Sequence, residues 1–175
     1  KKFEQRLLVQ SRMDALIKIC NRGYGEAQIE KLLKAKKNGM FLLFDVDKFK
    51  HINDTYGHSI GDEVLIQVAD ALKQTFEQAG VCMRLGGDEF AVYAPEITEQ
   101  MQAETMIQAF FERIRNIAIP QMEGDAISVS LGAVLCAPDR EHVFEKVYQR
   151  ADATMYTCKK VIGNSYDFYT GRNPA

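Results

Sequence analysis

Carboxylates stand at two places where the surrounding sequence is apolar or glycine-rich. The first is Asp45-Val46-Asp47, directly after Met40-Phe41-Leu42-Leu43-Phe44. A buried strand that ends in acids is costly unless a cation or hydrogen bonds compensate. On a strand, residues two apart share a face, so Asp45 and Asp47 point one way and Val46 the other. Hard oxygen donors of this kind suit magnesium or manganese. The same aspartates would serve equally well as caps of a helix beginning just beyond them, and their spacing does not separate the two readings. The second place is Arg84-Leu85-Gly86-Gly87-Asp88-Glu89-Phe90. A Gly-Gly turn followed by two acids sets carboxylates at an exposed tip, where a phosphate or base can approach the backbone closely. The competing reading is a plain hairpin with solvated acids.

These carboxylates need elements to hold them. Met40 to Phe44 is an unbroken apolar run, which fits a central strand buried on both faces. Val64, Leu65, Val68, Leu72 and Phe76 recur at helical spacing and predict a helix over 61–79. Val81 to Leu85 and Phe90 to Ala94 predict two strands joined by a two-residue turn at Gly86-Gly87. Helices are predicted over 25–37, ahead of the Asn38-Gly39 break, and over 98–116 and 141–162. The basic cluster Lys34, Lys36 and Lys37 suits a helix C-terminus. Further strands are predicted over 126–135 and 166–169. Residues 1 to about 20 predict a polar, loosely amphipathic helix with Phe3, Leu7, Val9, Met13 and Leu16 along one stripe. It is either the end of a signalling coiled coil from an upstream domain or a helix docked on its own core. Together the elements predict a single α/β domain whose central sheet contains an antiparallel hairpin and is flanked by helices.

The 175 residues suit one domain, and 46% hydrophobic with 26% charged residues is ordinary for a globular chain with a real core. A net charge of -2 supplies no global basic field, which argues against a nucleic-acid partner. Cys20, Cys82, Cys136 and Cys158 form no C-x-x-C pair, and His51, His58 and His142 show no zinc-site spacing with them. Buried, reduced thiols of a cytosolic compartment are the expectation. No apolar run approaches the roughly 20 residues that span a bilayer. The start, KKFEQRLLVQSRMD, shows no signal peptide and no initiator Met, so the expectation is a piece of a longer protein in which a membrane segment could precede residue 1.

The order and spacing of the two constellations resemble the GGDEF family of diguanylate cyclases. The five-residue signature stands at Gly86 to Phe90. Upstream, D-x-D-x-F-K occupies Asp45 to Lys50, followed by Ile52-Asn53-Asp54-Thr55, Gly57-His58 and Gly61-Asp62-Glu63. The resemblance runs from about Asp14 to Phe168. It implies a palm-like α/β domain, residues 14–175, related to nucleotidyl cyclases and polymerase palms, with residues 1–13 as a helical linker from an upstream sensor domain. It also implies that two GTP molecules are joined into cyclic di-GMP with release of pyrophosphate, across a homodimer that holds one GTP per subunit. Asp45 and Asp88, with the Val46 carbonyl, match ligands of two magnesium (or manganese) ions, a pairing that can activate the attacking oxygen and neutralise the leaving one. Asp88 also matches a proton acceptor, and Glu89 a residue that supports the metal site or nucleotide. Lys50 matches a cation that stabilises developing charge. Backbone amides around Lys48 and Phe49 match a phosphate cradle. Asn53 and Asp62 match guanine readers, since Asp62 can accept from N1–H and the 2-amino group and Asn53 can donate and accept. His58 matches a substrate contact, and Lys159 a lysine that reaches the terminal phosphates. Cytoplasmic placement follows from that substrate, and a membrane anchor in the full-length protein is compatible with it.

The sequence departs from the family pattern in three places. The opening motif, usually D-x-L-T-G-L-x-N-R, reads Asp14 to Arg22 with Ile17-Lys18 for Thr-Gly. Gly163 stands where the family carries a late arginine, and the nearby Lys160 is a point charge, not a guanidinium fork. Glu77 and Gly80 replace the Arg and Asp of the product-inhibition site, so tight cyclic di-GMP binding there is not expected. Two other functions stay open at this point: a catalytically silent module that binds GTP or a partner protein, and a related synthase with altered base choice.

Overall fold

The computed structural model describes residues 1–138 and 140–171, without the side chains of residues 7–10. Its centre is strand β1 (Met40–Val46), buried along its whole length as its apolar run predicts. Strands β2 (Val81–Gly86) and β3 (Glu89–Ala94) form the hairpin, β4 is Val129–Leu135 and β5 is Ser165–Phe168. They assemble in the order β2-β3-β1-β4-β5. Strand β1 runs antiparallel to both β3 and β4, and β5 lies parallel to β4, so the sheet is mixed. The helices are α1 (Lys2–Arg12), α2 (Arg22–Lys34), α3 (Phe49–Tyr56), α4 (His58–Phe76), α5 (Gln100–Arg115) and α6 (Phe144–Cys158).

Alternation along β1 sorts the core into two layers. Met40, Leu42, Phe44 and Val46 enter the cluster built with α4 and α5, where the Phe44 ring stacks on Phe90 at 5.2 Å. Phe41 and Leu43 enter the opposite cluster, with Ile29 and Leu33 of α2 and Val147, Ala151 and Met155 of α6. Asp45 is in phase with this second set, and that fixes it on the α6 side of the sheet.

Four expectations need correction. Helix α1 stops at Arg12 instead of continuing to about residue 20. Asp14 Oδ1 accepts the N–H groups of Leu16 and Ile17, giving the backbone a local alternative to helix, and residues 13–20 instead bridge to each other and to β2. The stripe positions Leu7 and Val9 lie outside the described side chains, and Phe3 is 75% exposed. Helix α2 starts at Arg22, three residues early, because Asn21 caps it by accepting from the Tyr24 N–H. The helix expected over 61–79 is α4, which starts at His58 and ends at Phe76, and a further helix, α3, precedes it, separated from it at Gly57 (φ 88). The hairpin turn is Gly87-Asp88, not Gly86-Gly87, since Gly86 pairs with Glu89 after a register shift beyond Arg84. That shift puts Gly87 in the left-handed region (φ 52) and sets Asp88 at the tip.

Candidate active site

Strand β1 delivers Asp45 between Glu89 of β3 and Ser130 of β4. Asp45 is only 8% exposed. Its Oδ2 lies 2.6 Å from Lys159 Nζ, at the C-terminal cap of α6. Among the described residues its buried Oδ1 has no hydrogen-bond partner. Burial pushes the Asp45 carboxyl up to about 6, Lys159 opposes the rise, and the charges of Asp88 and Asp47 add to it. For Lys159, burial works downward but is outweighed by Asp45, Asp88 and Asp47, so the ammonium is held above its usual value. At neutral pH the pair is therefore ionised.

Asp88 sits in the β2–β3 turn. Burial raises its carboxyl, against hydrogen bonds from its own and the Val46 backbone N–H and the pull of Lys159 and Arg84. Arg84 holds this turn in place. Its Nε and Nη2 donate to the Gly87 carbonyl at 2.9 and 2.7 Å, and its Nη1 reaches Asp14 Oδ1 at 3.2 Å. The opening segment, altered at Ile17-Lys18, is thus still tied to the signature turn. Glu89 accepts a 2.6 Å hydrogen bond from the Tyr148 hydroxyl on α6. Nothing in the local pattern of the sequence marks Tyr148, because its partner is a residue 59 positions away.

Asp47 has a different task. It lies just past β1 and accepts from the Ser128 and Ser130 hydroxyls, both at 2.6 Å. Neither aspartate caps the next helix. The cap position of α3 is Lys48, in the left-handed conformation (φ 53), and no side chain caps that terminus. The first-turn N–H groups of α3 therefore have no capping side chain, an arrangement that attracts anions. Lys48 and Lys50 are exposed beside them.

Asn53 on α3 and the exposed Asp62 on α4 are brought together by Gly61. A Cβ at Gly61 would run into Asn53 Oδ1 and would stand 3.5 Å from the Phe49 ring. The Asn53 amide thus packs on the turn of α4 that carries Asp62. Among the described residues, no side chain hydrogen-bonds to either, which leaves both polar edges open. His58 is exposed at the start of α4.

A family model described as diguanylate cyclase, GGDEF domain, matches residues 11–165. The chain belongs to the GGDEF family. The diguanylate cyclase DosC of Escherichia coli is 35% identical over 160 residues, covering 85% of this chain and 33% of DosC. The GGDEF domain of YfiN from Pseudomonas aeruginosa superposes with a TM-score of 0.79 at 27% identity, covering 90% of this chain and 94% of that one. The coiled coil and GGDEF domain of DgcB from Caulobacter crescentus, in complex with c-di-GMP, superposes at 0.84 with 23% identity, covering 95% and 90%. This chain spans only 24% to 44% of the length of the curated relatives it matches first. Its mixed α/β architecture is that of these GGDEF domains.

The carboxylates of this GGDEF domain fit a divalent cation. An ionisable oxygen buried without a partner, Asp45 Oδ1, is a position that a cation would satisfy. Among the described residues no third His, Cys, Asp or Glu side chain completes a cluster with them. That suits magnesium, which keeps one or two protein carboxylates and fills its shell with water and substrate phosphates. The late positions look weaker. Gly163 adopts φ 87 and presents no side chain, and Asn164 is engaged with the Val129 N–H at 2.9 Å. A cleft of about 330 Å³ lies elsewhere, between Leu16–Ile19 and α4, and none of the carboxylates of the site lines it. No described helix is long and apolar enough to cross a membrane.

Proposed function

We propose that the domain is a diguanylate cyclase that condenses two GTP into cyclic di-GMP and two pyrophosphates. The observation that carries the proposal is the convergence of Asp45, Asp88 and Lys159 at one end of the central strands, with an unsatisfied carboxylate oxygen among them. In each half-reaction a 3′-hydroxyl oxygen bonds to the α-phosphorus of the other GTP, the bond to the pyrophosphate breaks, and the hydroxyl proton passes to Asp88. The raised affinity of Asp88 for a proton supports that task. Divalent metal ions held by Asp45, Asp88 and the Val46 carbonyl would supply charge neutralisation at the attacking and leaving oxygens. The uncapped start of α3, with the amides of Lys48 and Phe49, would hold phosphates, and Lys50 would face the charge that develops on the transferring group. Asn53 and Asp62 would read the guanine edge, with His58 beside the base or ribose. Glu89, fixed by Tyr148, would support the metal site.

Two copies of the chain are needed, because each site holds one nucleotide and the product joins two. An upstream sensor domain would set how the copies meet. Gly163 in place of an arginine favours a second reading, a domain that binds GTP without turning it over. Product analysis with GTP and magnesium, alongside Asp88→Ala, separates the two. The first reading expects cyclic di-GMP from the unaltered chain and none from the variant, with ATP a poor competitor. GTP binding without product, even when two copies are held together, would establish the second.

A further inference from the structure

We propose that Lys159 is a built-in counter-ion for Asp45, seated where a divalent metal would bind, and that it must leave Asp45 before the metal enters. This inference rests on the cyclase reading, in which Asp45 is a metal ligand and the nucleotide phosphates lie beside it. The lysine Nζ stands 2.6 Å from Asp45 Oδ2, at direct bonding distance, while Oδ1 has no partner among the described residues. An ammonium and a dication on one small carboxylate repel each other, and in a half-buried site that repulsion is stronger than in water. Asp45 is fixed by β1, so it is the lysine that has to move.

The surroundings of Lys159 permit that movement. Its side chain is 43% exposed, against 11% for Asp45. It caps α6, and the next residues, Val161 and Ile162, are exposed and lead into Gly163 at φ 87. Without ligands the lysine offsets the charge of Asp45 and, at longer range, those of Asp88 and Asp47. When nucleotide arrives, its triphosphate offers the lysine another anion within reach of a flexible four-carbon stem. Exchange then takes place: the lysine passes from carboxylate to phosphate as the metal takes the carboxylate. Metal and nucleotide are thereby coupled through one side chain, and the coupling is reciprocal. The free domain would bind metal weakly, and the nucleotide-loaded domain would bind it well.

The test is calorimetric titration of Mn²⁺, without nucleotide, into the unaltered chain and into Lys159→Gln, Lys160→Gln and Asp45→Asn. The expected result is binding about tenfold tighter in Lys159→Gln, equivalent to about 1.4 kcal/mol, with none in Asp45→Asn. Lys160→Gln removes the same charge one residue further on, at an exposed position. It should change affinity by less than about twofold, since an exposed charge is screened. A second measurement needs no metal. Amine acetylation followed by mass spectrometry should label Lys159 more slowly than Lys160, and Asp45→Asn should abolish the difference. Mn²⁺ binding that Lys159→Gln does not strengthen, or that Lys160→Gln strengthens equally, overturns the counter-ion role alone. Absence of Mn²⁺ binding in every form overturns the metal reading of Asp45, and this inference with it. Equal labelling of Lys159 and Lys160 in the unaltered chain overturns the pairing itself.

Discussion

The amide oxygen of Asn53 occupies the space in which a side chain at Gly61 would stand. The two residues belong to different helices, α3 and α4, and Gly61 directly precedes Asp62. One close approach therefore sets the distance between the two proposed guanine readers. Gly61→Ala should displace Asn53, weaken GTP binding by about tenfold and cost about 1–3 kcal/mol of folding stability through overpacking. Because the clash is with Asn53 itself, adding Asn53→Ala should remove most of the stability cost, and a double-mutant cycle by chemical denaturation reads that coupling. Additive costs would show that the obstruction lies elsewhere.

Asp47 and Asp45 should separate cleanly when each is altered. Asp47 accepts two hydroxyl hydrogen bonds, from Ser128 just before β4 and from the fully buried Ser130 within it. Asp47→Ala should cost about 2–3 kcal/mol of stability, the usual scale for hydrogen bonds to a charged group. It should change Mn²⁺ affinity by less than about threefold, a minor long-range charge effect. Asp45→Asn should abolish Mn²⁺ binding with a smaller stability change. Thermal unfolding and metal titration on the same two variants make the comparison.

Much of this was legible in the sequence, and the limits have physical reasons. Met40 to Phe44 reads as a doubly buried strand because nothing polar interrupts it, and β1 is that strand. The Gly86–Phe90 signature and the Asp45–Lys50 motif lie on the hairpin and the end of β1, which the sheet places side by side. The end of α1 was hidden because Asp14 acts through a local turn that helical periodicity does not report. Helix α3 was missed because eight residues starting from a left-handed Lys48 show too few turns of pattern. The Tyr148–Glu89 and Lys159–Asp45 contacts were out of reach. Each joins α6 to a strand far away in sequence, and only the packing of α6 on the sheet brings them together.

The thiols carry a pH dependence. Burial is the main cause that raises Cys82 to about 12 and Cys136 to about 11, from 9.0. A group that holds its proton more tightly when folded than when unfolded makes folding less favourable as pH rises past the unfolded value. Stability should accordingly fall from about pH 9 to about pH 12, as thiols ionise in the unfolded chain first. At pH 8 these two should resist iodoacetamide, and the half-buried Cys20 should react first. Mass spectrometry after timed alkylation checks the order, and prompt labelling of Cys82 in the folded chain would contradict it.

The surface before the signature should not hold product tightly. Glu77 caps α4 and pairs with Lys73 at 3.9 Å in an exposed position, and Gly80 packs against the Tyr93 carbonyl. An acid and a bare glycine offer nothing to a phosphate. Calorimetric titration with cyclic di-GMP should show no tight site there. Tight binding that persists in Asp88→Ala and disappears in Glu77→Ala would contradict the expectation.

The central claim is turnover across two copies of the chain, and its most direct measurement is the rate of cyclic di-GMP formation from GTP and magnesium over a range of protein concentrations. The rate should rise more steeply than linearly with protein and be abolished by Asp88→Ala. Product formed in strict proportion to protein at every concentration, or no product from copies held together by a fused dimerisation segment, would contradict it.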